Sequence, residues 1–167
     1  MQTNQPPQNL LVAVLGHRKS GKSYTWNTLF GRTVKTGTKE RRLYFNSTEY
    51  TSVYLVSGSS EERQAYVGDL IKVKNPRIVL CSIQYVAHAM KTFNYFVDRG
   101  YSMYVHWLNP GWDDQGGYHD EHQLGPKILS MHSMLGKRSG KVDAEARVGE
   151  MRHYIYDWAK GKDLVHG

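Results

Sequence analysis

One octapeptide constrains this chain more than any other feature. Gly16-His17-Arg18-Lys19-Ser20-Gly21-Lys22-Ser23 fits the pattern G-x-x-x-x-G-K-[ST]. It lies between a continuous apolar run, Leu10 to Leu15, and a segment from Ser23 to Phe30 that reads as a helix, with Gly31 placed to end it in a left-handed conformation. An unbroken apolar run is what a strand buried on both faces requires. Gly16 and Gly21 allow backbone angles that turn successive N–H groups inward as an anion-binding nest, and the following helix adds its positive end. In that setting Lys22 reaches the β- and γ-phosphates of a nucleotide and the Ser23 hydroxyl is placed to ligate Mg²⁺.

The rest of the chain alternates. Strands are expected at 41–46 and 49–57 around an Asn-Ser-Thr turn, at 77–85 and at 101–109. Helices are expected from the serine- and acid-led segment 59–71, from Val86 to Asp98, from Pro126 to Leu135, and from Asp143 to Lys160. "GKRSGK", 136–141, reads as a basic, flexible break. This order predicts an α/β fold with a largely parallel central sheet and helices on both faces, in three layers. The loops after Leu15, Val56, Tyr85 and Leu108 should converge at the carboxyl ends of the strands, where such sheets bind ligands. Residues 1–9, polar with two prolines, read as a flexible lead, and 10–167 as one nucleotide-binding domain.

The motif resembles that of the P-loop NTPase superfamily. That resemblance implies the P-loop NTPase fold with the first strand in the middle of the sheet, and Mg-nucleotide held by Gly21, Lys22, Ser23 and Tyr24. The whole loop, Gly16, His17, Arg18, Lys19, Ser20, Gly21, Lys22, Ser23 and Tyr24, is the expected phosphate site, for ATP or GTP. The guanine-reading N/T-K-x-D and the D-x-x-G switch of the regulatory GTPases are missing. The strand "RIVLCSIQY" carries Ser82 and Gln84 where motor ATPases carry a Mg-holding Asp. "IVLCSIQY" is similar to the strand ends of small-molecule kinases, whose next residues face substrate. "YFVDRGYSMYVHWLN" resembles the helix–Gly–strand unit of P-loop kinases and zeta-toxin-like phosphotransferases. The kinase resemblance implies a basic lid that stabilises the transferring phosphoryl group. Arg138 is its candidate cation, with Arg147 and Arg152 in reserve. A carboxylate must deprotonate the acceptor, and Glu49, Glu61, Glu62 and Asp69 are candidates without a decisive spacing.

Two functions follow. One is a kinase-like phosphotransferase dependent on Mg²⁺ and ATP (or GTP). The other is an NTP-binding or NTP-hydrolysing module controlled by a protein or nucleic-acid partner. The formal charge of +7 suits an anionic partner, nucleic acid or acidic protein. The loop 111–125 carries Asp113, Asp114, His119 and His122, which could face substrate, act as a lid or share a metal; Trp112 could stack on a base or pack in the core. No apolar stretch is long enough for a membrane span. The single cysteine, Cys81, reads as a buried strand residue and fits a reducing compartment, with the cytoplasm as the expected location.

Overall fold

The computed structural model describes residues 7–109, 120–140 and 144–167. Its strands are β1 (Asn9–Gly16), β2 (Arg41–Tyr44), β3 (Tyr50–Val56), β4 (Ile78–Gln84), β5 (Tyr101–Leu108) and β6 (Ser133–Arg138). The helices are α1 (Lys22–Phe30), α2 (Val67–Leu70), α3 (Met90–Val97), α4 (Leu124–Leu129) and α5 (Glu145–Gly161), and a 3₁₀ turn at Ala87–Ala89 leads into α3. The six strands form one sheet in the order β2-β3-β4-β1-β5-β6. All neighbours are parallel except β2, which runs antiparallel to β3 at the edge.

The apolar run of β1 has no exposed side chain because both faces of the strand are covered. Leu11, Ala13 and Leu15 pack with Phe93 and Phe96 of α3 and Ile128 of α4. Leu10, Val12 and Val14 pack on the other face with Trp26 and Leu29 of α1 and with Val148, Met151 and Ile155 of α5. Each of the valine, leucine, isoleucine, phenylalanine and methionine side chains removed from water here stabilises the fold by about 1.5–3 kcal/mol. α1 ends at Gly31, whose φ is +68° and whose N–H reaches back to Asn27 and Thr28. No described helix is long and apolar enough to cross a membrane.

Four sequence expectations need correction. The helix expected over 126–135 is the shorter α4, with Pro126 inside its first turn, and the "flexible" 136–141 segment begins as strand. Ser133–Arg138 pairs residue by residue with Met103–Leu108, so the sheet edge supplies hydrogen bonds that local composition could not foretell. The segment 59–71 is mostly turns and helical only at Val67–Leu70. Helix 86–98 begins as the 3₁₀ turn.

Candidate functional site

The chain leaves adjacent strands β1 and β4 in opposite directions, to α1 on one face and to α3 on the other. A crevice opens where neighbouring connections part in this way. The octapeptide fills it from the β1 side. Its turn is closed by Ser20 N–H donating to the His17 carbonyl at 3.1 Å, and Thr25 N–H donates to Gly21 O at 3.0 Å to start α1. Lys19 and Gly21 both take positive φ, +63° and +103°. No side chain caps α1, so its first N–H groups are left to whatever the loop holds. The Ser20 hydroxyl is buried without a hydrogen-bond partner.

Lys22 is folded over this loop and only 7% exposed. Its Nζ donates to the carbonyls of Gly16 (3.0 Å) and His17 (2.8 Å) and lies 3.5 Å from Glu62 Oε1. Burial pulls its pKa below the ordinary lysine value, with Glu62 and Glu61 opposing. Above it is a cavity of about 320 Å³ lined by Arg18, Lys19, Gly21, Lys22, Ser23, Tyr24, Ser57 and Glu62. His17, Arg18, Lys19, Ser23 and Tyr24 are exposed, while Gly16, Ser20 and Lys22 are buried.

The wall behind the loop comes from the β5 and β6 ends. Asn109 donates to the Ser20 carbonyl at 3.2 Å and accepts the Gly140 N–H. Buried Arg147 on α5 donates to Thr25 Oγ1 (2.9 Å) and to the Ser139 carbonyl (3.1 Å). Arg152 donates to the Leu29 carbonyl at 2.8 Å. These two arginines tie α5 to α1. Arg138, at the end of β6, makes a paired contact with Glu150 of α5 at 2.6 and 3.1 Å, which raises its pKa and lowers that of Glu150.

The four candidate acids separate cleanly. Glu62 alone lines the cavity. Glu61 is a brace: Oε1 accepts the Gln84 N–H at 2.8 Å, and Oε2 accepts from Ser60 and Thr92. Asp69 lies on α2. Glu49 belongs to the β2–β3 turn, at the amino end of β3, and accepts from Asn46. Ser82 is fully buried and its hydroxyl accepts the Trp26 indole N–H at 2.8 Å, so it anchors α1. Gln84 ends β4 directly opposite Gly16.

His122 lies at one flank. Its ring and that of His17 stand 5.3 and 5.2 Å from Tyr85, which stacks on Trp107. Tyr85 donates to Asp120, which also accepts the N–H groups of Leu124 and Gly125. Burial pushes the Asp120 carboxyl up, but these bonds and His122 outweigh it and hold the pKa below its usual value. Asp113, Asp114, His119 and Trp112 lie outside the described residues. Among the described residues no three His, Cys, Asp or Glu side chains gather where they could hold a metal. Cys81 is buried in β4, and burial pushes its thiol well up. The sequence alone did not single out Asn109, Gly140 or Thr25; a glycine in a basic loop carries no signal that it must abut another backbone. Compared with family models and with curated proteins, the chain matches none.

Proposed function

We propose that the chain is a P-loop nucleoside-triphosphate-binding protein that transfers the γ-phosphoryl group, kinase-like, to an acceptor hydroxyl. The carrying observation is the group around Lys22. A nearly buried ammonium is held over an uncapped helix start, with one carboxylate, Glu62, 3.5 Å from it on the wall of a cavity of about 320 Å³. The helix N–H groups and the nest would hold the phosphates of ATP or GTP, and Lys22 would balance charge on the β/γ oxygens as the bond to the leaving oxygen breaks. Ser23 lines the cavity and suits Mg²⁺ as a direct oxygen ligand; the ion when bound would neutralise phosphate charge. Glu62 would take the acceptor's proton. Tyr24, half exposed at the rim, would flank the nucleotide. Arg138 would contribute only by exchanging its pair with Glu150 for phosphate. The cytoplasm, rich in Mg-nucleotide and reducing for Cys81, suits this activity.

A second reading, a partner-controlled NTPase, is favoured by one observation. Arg18 and Lys19 stand exposed on the cavity rim, where an anionic partner could reach the bound nucleotide.

Calorimetric titration of wild type and Lys22→Ala with ATP and GTP, with and without Mg²⁺, tests the proposal. The variant should fold, because both carbonyls that Lys22 bonds keep a second donor, Tyr85 N–H on Gly16 and Ser20 N–H on His17. Wild type should bind in a Mg-dependent way. The variant should lose about 10- to 150-fold, the worth of a hydrogen bond to a charged group. Failure of wild type to bind either nucleotide would end the proposal.

A further inference from the structure

At the amino end of β3, away from the phosphate loop, three rings line up across β2, β3 and the C-terminal segment. Tyr44 of β2 stands directly opposite Tyr50 of β3, and Tyr50 forms a bridge with His166 of the C-terminal segment. Residues paired in this way point to the same face of a sheet. Their ring centroids are 5.3 Å apart from Tyr44 to Tyr50 and 5.4 Å from Tyr50 to His166. Two backbone hydrogen bonds, of 2.9 and 2.8 Å, fix the Tyr50–His166 pair. The Arg42 guanidinium sits 4.3 Å from the Tyr50 ring centre. Tyr44 nevertheless remains 47% exposed, far more than core packing would leave.

The charge on this face is one-sided. Arg42 is the cation that β2 places here, since Arg41 points to the other face, where it donates to the Lys35 carbonyl and lies over the Phe30 ring; residues 41–56 contain one acid, Glu49. That acid is taken up by Asn46, and its carboxylate also accepts from Tyr156 and lies 3.9 Å from Lys160, both on α5. Farther along the same face of β3, the Tyr54 hydroxyl receives the backbone N–H of Lys72. A row of rings on an open sheet face, flanked by arginine on a chain of net charge +7, matches what an unpaired base and its phosphate require: a flat surface for stacking and a cation beside it.

We infer that the Arg42–Tyr44–Tyr50–His166 face binds single-stranded nucleic acid, with bases on the rings and a phosphate at Arg42. The ring faces favour bases over the carboxylates of an acidic protein. The surface does not depend on the phosphate-loop proposal, since β3 separates the two by seven residues, roughly 20 Å of strand.

Fluorescence anisotropy with labelled 20-nucleotide oligo-dT and oligo-U, single-stranded and as duplexes, tests this. Wild type should bind the single strands in preference to the duplexes. Tyr44→Ala should weaken that binding about 5- to 150-fold, the effect of removing one stacking ring. Arg42→Glu should weaken it more than Lys127→Glu, the same charge change on exposed α4. Lys22→Ala should leave it unchanged, which keeps failure here distinct from failure of the nucleotide site. Thermal melts confirm that Tyr44→Ala is folded. The inference is overturned if wild type does not bind the single strands, or if Lys127→Glu is as damaging as Arg42→Glu. It is also overturned if polyglutamate displaces the oligonucleotide with no effect of Tyr44→Ala, which would mark a surface for acidic protein. Loss of self-association in Tyr44→Ala, without loss of oligonucleotide binding, would mark a contact between copies of the chain.

Discussion

Gly140→Ala is the sharpest test of how the 16–23 loop is held. A Cβ at residue 140 would lie 1.8 Å from the Ser20 carbonyl oxygen, a backbone atom that cannot rotate away. Side-chain carbons essentially never approach within 3.0 Å, so the two segments would have to separate by at least 1.2 Å, the difference between 3.0 and 1.8. That shift pulls on Asn109, which ties Ser20 to Gly140 through both ends of its amide. Overpacking of this kind costs about 1–3 kcal/mol. In a chain of this length that lowers the melting temperature by about 2–12 °C. On the proposed reading the damage should also reach the phosphate nest, since Ser20 and Gly21 are the residues displaced, so affinity for Mg-nucleotide should fall with stability. Gly149→Ala is the matched control: it lies in α5 with open space around it, and alanine there should raise stability by up to about 1 kcal/mol. Differential scanning calorimetry and nucleotide titration of both variants give the answer. If Gly140→Ala melts with wild type and binds nucleotide equally well, the β6–α5 connection is not the wall behind the loop.

On the proposed reading, Glu62→Gln keeps the shape of the cavity but removes the proton acceptor; turnover with ATP should drop by about 10²–10⁴ while affinity changes only a few-fold, and unchanged turnover in a steady-state assay would reject Glu62 as base. His106 is fully buried, bonded to Tyr104, with Arg138, Arg147 and Glu150 near it; burial and the arginines push its pKa down to about 4. Its neutral form therefore favours the native state above pH 6.5, and that contribution, about 3 kcal/mol, is lost as pH falls from 6.5 to 4. Urea titrations across that window should show a shallower decline for His106→Gln; identical slopes would refute it.

How much of this was legible in the sequence depends on whether the information is local. β1, α1 and the Gly31 cap could be read because an apolar run, a glycine pattern and a helix stop each act over a few residues. The hairpin β2–β3 was legible for the same reason, in its tyrosines and valines around Asn46-Ser47-Thr48. β6 was not: Gly136-Lys137-Arg138 has neither the apolar alternation nor the branching of a strand, and only the open edge of β5 makes it one. At the site, residues of the motif itself could be named, but those that brace it could not. Arg147 appeared as a candidate cation for the phosphoryl group, whereas it is held by Thr25 and Ser139 as a tie between α5, α1 and the β6 end. Ser82, at a strand end expected to face substrate, has its hydroxyl engaged by an indole from α1. Nothing in the spacing of Trp26 and Ser82, 56 positions apart, announces that bond.

The missing strand-end acid has a structural counterpart. Position 82 is fully buried beneath α1, and an ionised carboxylate there would be desolvated beside an indole with one donor to offer. The carboxylate that does meet Lys22 instead arrives from the turns after β3, a segment with little regular structure to fix it. What fixes it is its neighbour. Glu61 grips the Gln84 N–H at the end of β4, Thr92 on α3 and Ser60, and so pins the segment that carries Glu62. If Glu62 is the base, as proposed, Glu61 is its positioning residue, and its removal should act through Glu62. Glu61→Ala strips the Gln84 N–H of its acceptor, costing about 1–3 kcal/mol, and should lower turnover together with stability. Glu61→Gln keeps an oxygen for that N–H and should recover most of both. If Glu61→Ala lost stability but kept full turnover, Glu62 would be held by something other than its neighbour. If Glu61→Gln were as inactive as Glu62→Gln yet fully stable, Glu61 itself would be the reacting carboxylate.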